Sequence, residues 1–223
     1  MNLEHPATVR ADTGGSHRPR RGPWLALAAV LLLAAAVAAY LAFVRRPAFD
    51  PDAVAAAETR MWKSYYSRDR LALGMELVRL LRSQFGLTAA EARAVGGLLA
   101  GAAMKFKAAT GDYESIVLPD LVAAYEKIRR FSGRGFDAKE AARAELAWWV
   151  DRRAPGRNTP EQIGEGMAKL YAVLYGQDAA AFHQAGRLRA QATHLRDVAG
   201  AGTDWAAVED LLRQSYESLA KDL

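Results

Sequence analysis

Residues 88–111 read TAAEARAVGGLLAGAAMKFKAATG, and this stretch decides the fold class. Thr88 stands just before an apolar rhythm, with Glu91 three residues later. That spacing makes a capping box: the threonine oxygen takes a free backbone N–H of the first turn, and the glutamate reaches back to the cap. Val95, Gly96, Leu99, Ala102, Ala103 and Phe106 then recur at helical spacing, and Gly111 supplies a stop. Each of Gly96, Gly97 and Gly101 lowers helicity by about 1 kcal/mol, so this helix predicts another packed closely against it.

The same punctuation repeats along the chain. Asp137 is followed by Glu140, and Thr159 by Pro160 and Gln162. Asp178 and Thr203/Asp204 are simpler caps, while Gly86, Gly133, Gly176 and Gly200 end periodic stretches. Helices are predicted at 51–84, 89–109, 113–131, 138–153, 160–175, 179–199 and 204–221. Pro119 is expected to start or kink the third. No segment alternates as a strand between hairpin turns, and short connections predict antiparallel neighbours. The expected fold is all-α, a compact bundle of about seven helices behind a single N-terminal transmembrane helix.

That span is expected at residues 24–44, WLALAAVLLLAAAVAAYLAFV, which carry no charge. A helix of this length crosses about 31 Å, the thickness of a hydrocarbon core. Trp24 and Tyr40 sit towards its ends, where amphipathic rings favour the interface, and Arg20, Arg21, Arg45 and Arg46 bracket it. Arg45 and Arg46 directly after the apolar run argue against a cleaved signal peptide. Residues 1–23 read as a disordered basic tail, 45–50 as a linker and 51–223 as the folded domain. The expected location is the cell membrane, single-pass, with the folded domain outside the cytoplasm. The arginines on the two sides are nearly balanced.

The 223 residues hold no cysteine, which excludes disulfides, thiolate metal sites and cysteine nucleophiles. A net charge of +5 is spread along the chain without a basic run interleaved with aromatics, so nucleic acid is not an expected partner. Heavy alanine and arginine usage fits a GC-rich bacterial genome. P-loops, dinucleotide glycine patterns and serine-nucleophile motifs are absent from the sequence.

Two segments carry the chemistry that remains. Glu58 stands four residues before Trp62, and Glu145 four before Trp149. At roughly 100° per residue, Glu58 shares a face with Trp62, Tyr65, Tyr66, Asp69, Leu73, Leu77 and Leu80. Glu145 lies at the middle of a stripe with Ala138, Ala141, Ala142, Trp148 and Trp149. An inward carboxylate needs a cation, a proton or a metal. Arg152, two turns from Glu145, is one candidate partner; Arg60, Arg143, Arg187 and Arg189 are others. A bundle metal centre would add Glu-x-x-His, which is absent. His183 and His194 share a helix face about 16 Å apart and cannot chelate one ion.

The candidate pocket is therefore Glu58, Trp62, Tyr65, Tyr66, Glu145, Trp148, Trp149 and Arg152. No catalytic residue, metal ligand or cofactor is assigned. The function expected is a non-catalytic, membrane-anchored module that holds a protein partner or self-associates. The bilayer is its other partner. Two alternatives stay open: a binder of a lipid or small molecule in an aromatic–acidic pocket, and a carboxylate-based, metal-dependent enzyme.

Overall fold

The computed structural model describes residues 22–223. The expected tail falls outside the described residues as far as position 21. Two units are separated at residues 42 and 43. The first contains α1 (Gly22–Val44) as far as Ala42, a helix whose described side chains are exposed. Among the described residues, no helix is long and apolar enough to cross a membrane.

The second unit, Phe43–Leu223, is all helical among its described residues. It runs α2 (Pro51–Ser67), α3 (Arg70–Phe85), α4 (Ala89–Ala108), α5 (Tyr113–Ile116), α6 (Leu118–Ser132), α7 (Ala138–Arg153), α8 (Pro160–Tyr175), α9 (His183–Ala199) and α10 (Trp205–Lys221). Packing follows the chain from α2 through α3, α4, α6, α7, α8, α9 and α10, and α10 returns to α2. Eight helices thus close a circuit. Apolar side chains fill two large clusters and a smaller one of Trp148, Ile163, Met167 and Ala190. One large cluster gathers Phe85, Val95, Leu121, Ile128, Leu146 and Leu174; the other Val54, Phe182, Val208, Leu212 and Leu219. Helix α8 feeds both, with Leu170 and Leu174 in the first and Ala168 and Tyr171 in the second.

The caps form as their sequence implies. Glu91 N–H donates to Thr88 Oγ1 at 3.3 Å, and Thr88 N–H donates to Glu91 Oε2 at 2.9 Å. Asp137 accepts from the N–H groups of Lys139 and Glu140, and Thr159 from that of Gln162. Residues 45–50 carry no helix, yet Arg46 donates to the Gly86 and Phe131 carbonyls and to Glu91. Asp50 then caps α2 through the N–H groups of Asp52 and Ala53.

Three expected helices are broken. The first, 51–84, splits into α2 and α3 at Arg68, whose φ of 64° is left-handed. Asp69 is the cap of α3, accepting from Ala72 N–H at 3.0 Å, so it does not share a helix face with Glu58. Leu73, Leu77 and Leu80 leave that face with it. No glycine or proline marks the break, since a charged residue takes the conformation that glycine takes most readily. The third splits into α5 and α6, with Pro119 in the first turn of α6, where no N–H is needed. The sixth opens with a 3₁₀ turn, Ala179–Phe182, before α9.

A buried carboxylate–guanidinium network as the candidate functional site

Glu58 is fully buried, on the face of α2 that also buries Val54, Ala55, Ala57 and Thr59. Its partner is Arg189 of α9, 131 residues away. Arg189 Nη2 donates to Oε1 at 2.6 Å, and Nε reaches Oε1 at 3.1 Å and Oε2 at 3.3 Å. Tyr216 Oη of α10 donates to Oε2 at 2.5 Å. Each carboxylate oxygen therefore accepts a short charge-assisted or phenolic bond.

Glycine brings Arg189 this deep. A Cβ on Gly164 of α8 would lie 2.9 Å from Arg187 Cα, and one on Gly186 would strike the Gly164 carbonyl oxygen. Helices α8 and α9 thus cross almost backbone to backbone. Of the other buried hydroxyls, Thr59 and Thr193 close locally on Ala55 O and Arg189 O, while Ser215 of α10 reaches across to Ala185 O of α9.

Glu145 is half-buried, and three neutral donors hold it. Trp149 Nε1 donates to Oε1 at 2.8 Å; Tyr125 Oη and Trp148 Nε1 donate to Oε2 at 3.1 and 3.2 Å. The nearby cation is again Arg189, whose guanidinium lies 5.8 Å from the Trp148 ring. The two glutamates are therefore linked through one arginine. Tyr171 of α8 is buried in the same field, with its hydroxyl facing Arg189.

The electrostatics follow from one cation facing two acids. Burial pushes the Glu145 carboxyl above the usual range, opposed by Arg189 and by the indole and phenol donors. Burial opposes charge on Arg189, but the Glu58 carboxylate, its hydrogen bond and the Tyr171 and Tyr216 phenols together hold the guanidinium well above its ordinary value. Burial, then the neighbouring glutamate, raises Tyr216 and Tyr125 well above the phenol range. Tyr171 is raised by burial first.

The eight candidate residues do not form one cluster. Glu58 belongs to the Arg189–Tyr216 network, and Glu145, Trp148 and Trp149 to its neighbour. Tyr66 lies under Arg196, whose guanidinium carbon is 3.4 Å from the ring centre. Arg152 is not the partner of Glu145: it grips Asp197 with bonds of 2.9 and 2.7 Å and donates to Tyr66 Oη at 3.2 Å. Tyr65 is exposed, 5.6 Å from the Lys107 ammonium, and Trp62 packs on the Val54–Leu212 cluster. A cavity of about 180 Å³ between α8 and α9 is bordered by Arg152, His194 and Asp197, and one of about 260 Å³ by Asp151, Glu165 and Lys169. His183 and His194 are exposed on α9, and Arg187 between them donates to Gln184. Among the described residues, no group of three or more histidines and carboxylates could hold a metal ion.

Sequence reasoning named Arg189 only among several arginines, and it missed Tyr125, Tyr216 and Asp197. The two tyrosines had a signal. Tyr125 stands four residues after Leu121 and Tyr216 four after Leu212, both on buried stripes. Compared with known proteins, the chain matches no family model, no curated protein and no solved structure.

Proposed function

We propose that this chain is a membrane-anchored helical module that holds a protein partner, or a second copy of itself, at the bilayer without catalysing a reaction. One observation carries the reading. Helix α1 exposes large apolar side chains on every side, with Trp24 at 75%, Leu32 at 72%, Leu33 at 66% and Tyr40 at 65%. A helix that is apolar all round requires an apolar surrounding. The uncharged run over residues 24–44 matches the bilayer core in length. A non-catalytic role is supported by the network itself. Glu58 is saturated by Arg189 and Tyr216, and Glu145 by three donors, so neither carboxylate is left to abstract a proton.

The test uses the absence of cysteine. The full chain stays in the membrane pellet after an alkaline carbonate wash. Ser16→Cys is shielded from an impermeant maleimide in intact cells, and Lys221→Cys is labelled. Release by carbonate defeats the anchor. Labelling of position 16 but not 221 reverses the orientation, and labelling of both sides at once defeats a single pass.

A further inference from the structure

The chain that leaves the apolar run is tied to the bundle at once. That run ends at Val44, and Arg46 already grips the ends of three helices. Its Nη1 donates to the Gly86 carbonyl after α3 at 3.1 Å and to the Phe131 carbonyl of α6 at 2.9 Å, and its Nη2 donates to Glu91 of α4 at 2.6 Å. Arg82 Nη2 donates to the Arg45 carbonyl at 3.2 Å. A Cβ on Gly86 would come within 3.3 Å of the Pro47 carbonyl oxygen, so this strap lies directly on the end of α3. Two residues of chain reach about 7 Å at most. The headgroup layer of a bilayer is about 5–7 Å deep on each side. With a span that ends at Val44, the C-terminal turns of α3 and α6 therefore stand against the headgroups.

That corner of the bundle is cationic. Arg45 and Arg130 are exposed, and Lys127 and Arg134 are half-buried. The Arg130 guanidinium lies 4.8 Å from the centre of the Phe131 ring and the Lys127 ammonium 5.9 Å, while Arg134 lies 4.6 Å from the centre of the Tyr175 ring. Among the described residues, none of these four cations is paired with a carboxylate. The acids around them are engaged: Glu91 by Arg46, Glu126 by Arg129, and Asp50 and Asp137 by the first N–H groups of α2 and α7. Asp52 and Glu140 stand exposed at the N-termini of α2 and α7, so the surplus of cations belongs to the side of α3 and α6. A guanidinium held over a ring keeps its N–H edge, and that edge meets a phosphate with two parallel bonds.

We propose that the strap over residues 45–47 and the C-terminal turns of α3 and α6 form a docking surface for anionic lipid headgroups, with Arg45, Lys127, Arg130 and Arg134 meeting the phosphates. The surface rests on the membrane-anchor reading and adds to it which side of the bundle lies on the bilayer.

The full chain in vesicles tests it. One set is phosphatidylcholine, the other phosphatidylcholine with an equal part of phosphatidylglycerol, and both carry a trace of lipid with a nitroxide headgroup. The chain lacks cysteine, so Gly135→Cys and Gly111→Cys each take a single bimane label; both positions are exposed and have open space for a side chain. Gly135 follows α6 beside the cations, and Gly111 lies past the far end of α4, about 30 Å from Thr88. The label at 135 is quenched, more strongly in the anionic vesicles, and the label at 111 is not. Each Lys or Arg near an anionic surface is worth about fivefold, so Lys127→Gln/Arg130→Gln/Arg134→Gln lowers the ratio of docked to undocked bundle about a hundredfold. It returns quenching at 135 to the phosphatidylcholine level with an unchanged circular-dichroism melt. Salt at about 1 M does the same to the parent, because the screening length falls to about 3 Å. Equal quenching at 135 and 111, quenching at 111 alone, or a signal at 135 indifferent to phosphatidylglycerol and to the triple variant overturns the proposal. An alkaline carbonate wash of the same vesicles separates the two readings. Released protein removes the anchor on which this surface rests, and retained protein without the lipid-dependent signal at 135 removes the docking alone.

Discussion

Removing the Arg189 guanidinium is the sharpest perturbation of this fold. Arg189→Met keeps much of the side-chain length but leaves the Glu58 carboxylate, which has no solvent exposure, with Tyr216 as its one remaining donor. Breaking a buried pair from one side costs about 3–5 kcal/mol, because an uncompensated charge stays behind. That is a large share of a stability of about 5–15 kcal/mol. In a unit of this size 1 kcal/mol moves the melting temperature by about 2–4 °C, so the expected fall is about 6–20 °C. Glu58→Met/Arg189→Met/Tyr216→Phe removes the carboxylate together with its partners and leaves Glu145 on its three neutral donors. Apolar replacement of a buried pair is often neutral or better, so the triple variant should melt within about 2 kcal/mol of the parent. The assay is a circular-dichroism melt of the full chain in mild detergent. A loss under about 1 kcal/mol in Arg189→Met, or a triple variant no more stable than the single one, would refute the argument.

Glu145 makes a prediction about pH. Its folded carboxyl is raised above its unfolded value, so the folded state binds more protons in that window. Stability therefore falls as pH rises from the unfolded value, about 4.3, through the raised one. Glu145→Gln removes that slope, so its melting temperature should gain on the parent between pH 4 and pH 7; a widening deficit would contradict the reading. Two glycine substitutions should move in opposite directions in urea titrations. Gly186→Ala drives a Cβ into the Gly164 carbonyl and loses at least about 1–3 kcal/mol, whereas Gly97→Ala meets open space and gains up to about 1 kcal/mol. Thr88→Ala removes the capping box of α4 and should cost about 1 kcal/mol in the same measurement.

What the sequence determined by itself is what depends on near neighbours in the chain. Thr88 with Glu91, Asp137, and Thr159 with Pro160 fix where helices begin, because the hydrogen bonds that cap them close within three residues. The inward direction of Glu58 was legible from Trp62, one helical turn on, although Asp69, Leu73, Leu77 and Leu80, placed on the same stripe, belong to α3 and its cap. The break at Arg68 was not. Its left-handed backbone is imposed on a residue with no special preference for it, while α2 and α3 each pack against other helices. The choice of Arg189 over Arg60, Arg143, Arg187 and Arg152 was decided only by tertiary structure. The Gly164–Gly186 crossing sets how deep α9 sits, and that depth lets one guanidinium reach a carboxylate 131 residues away. Arg152 stands on the same helix as Glu145, yet Asp197 and Tyr66 claim it from α9 and α2. Helical periodicity assigns a side chain to a face; which chain segment meets that face is settled by the packing of the whole circuit.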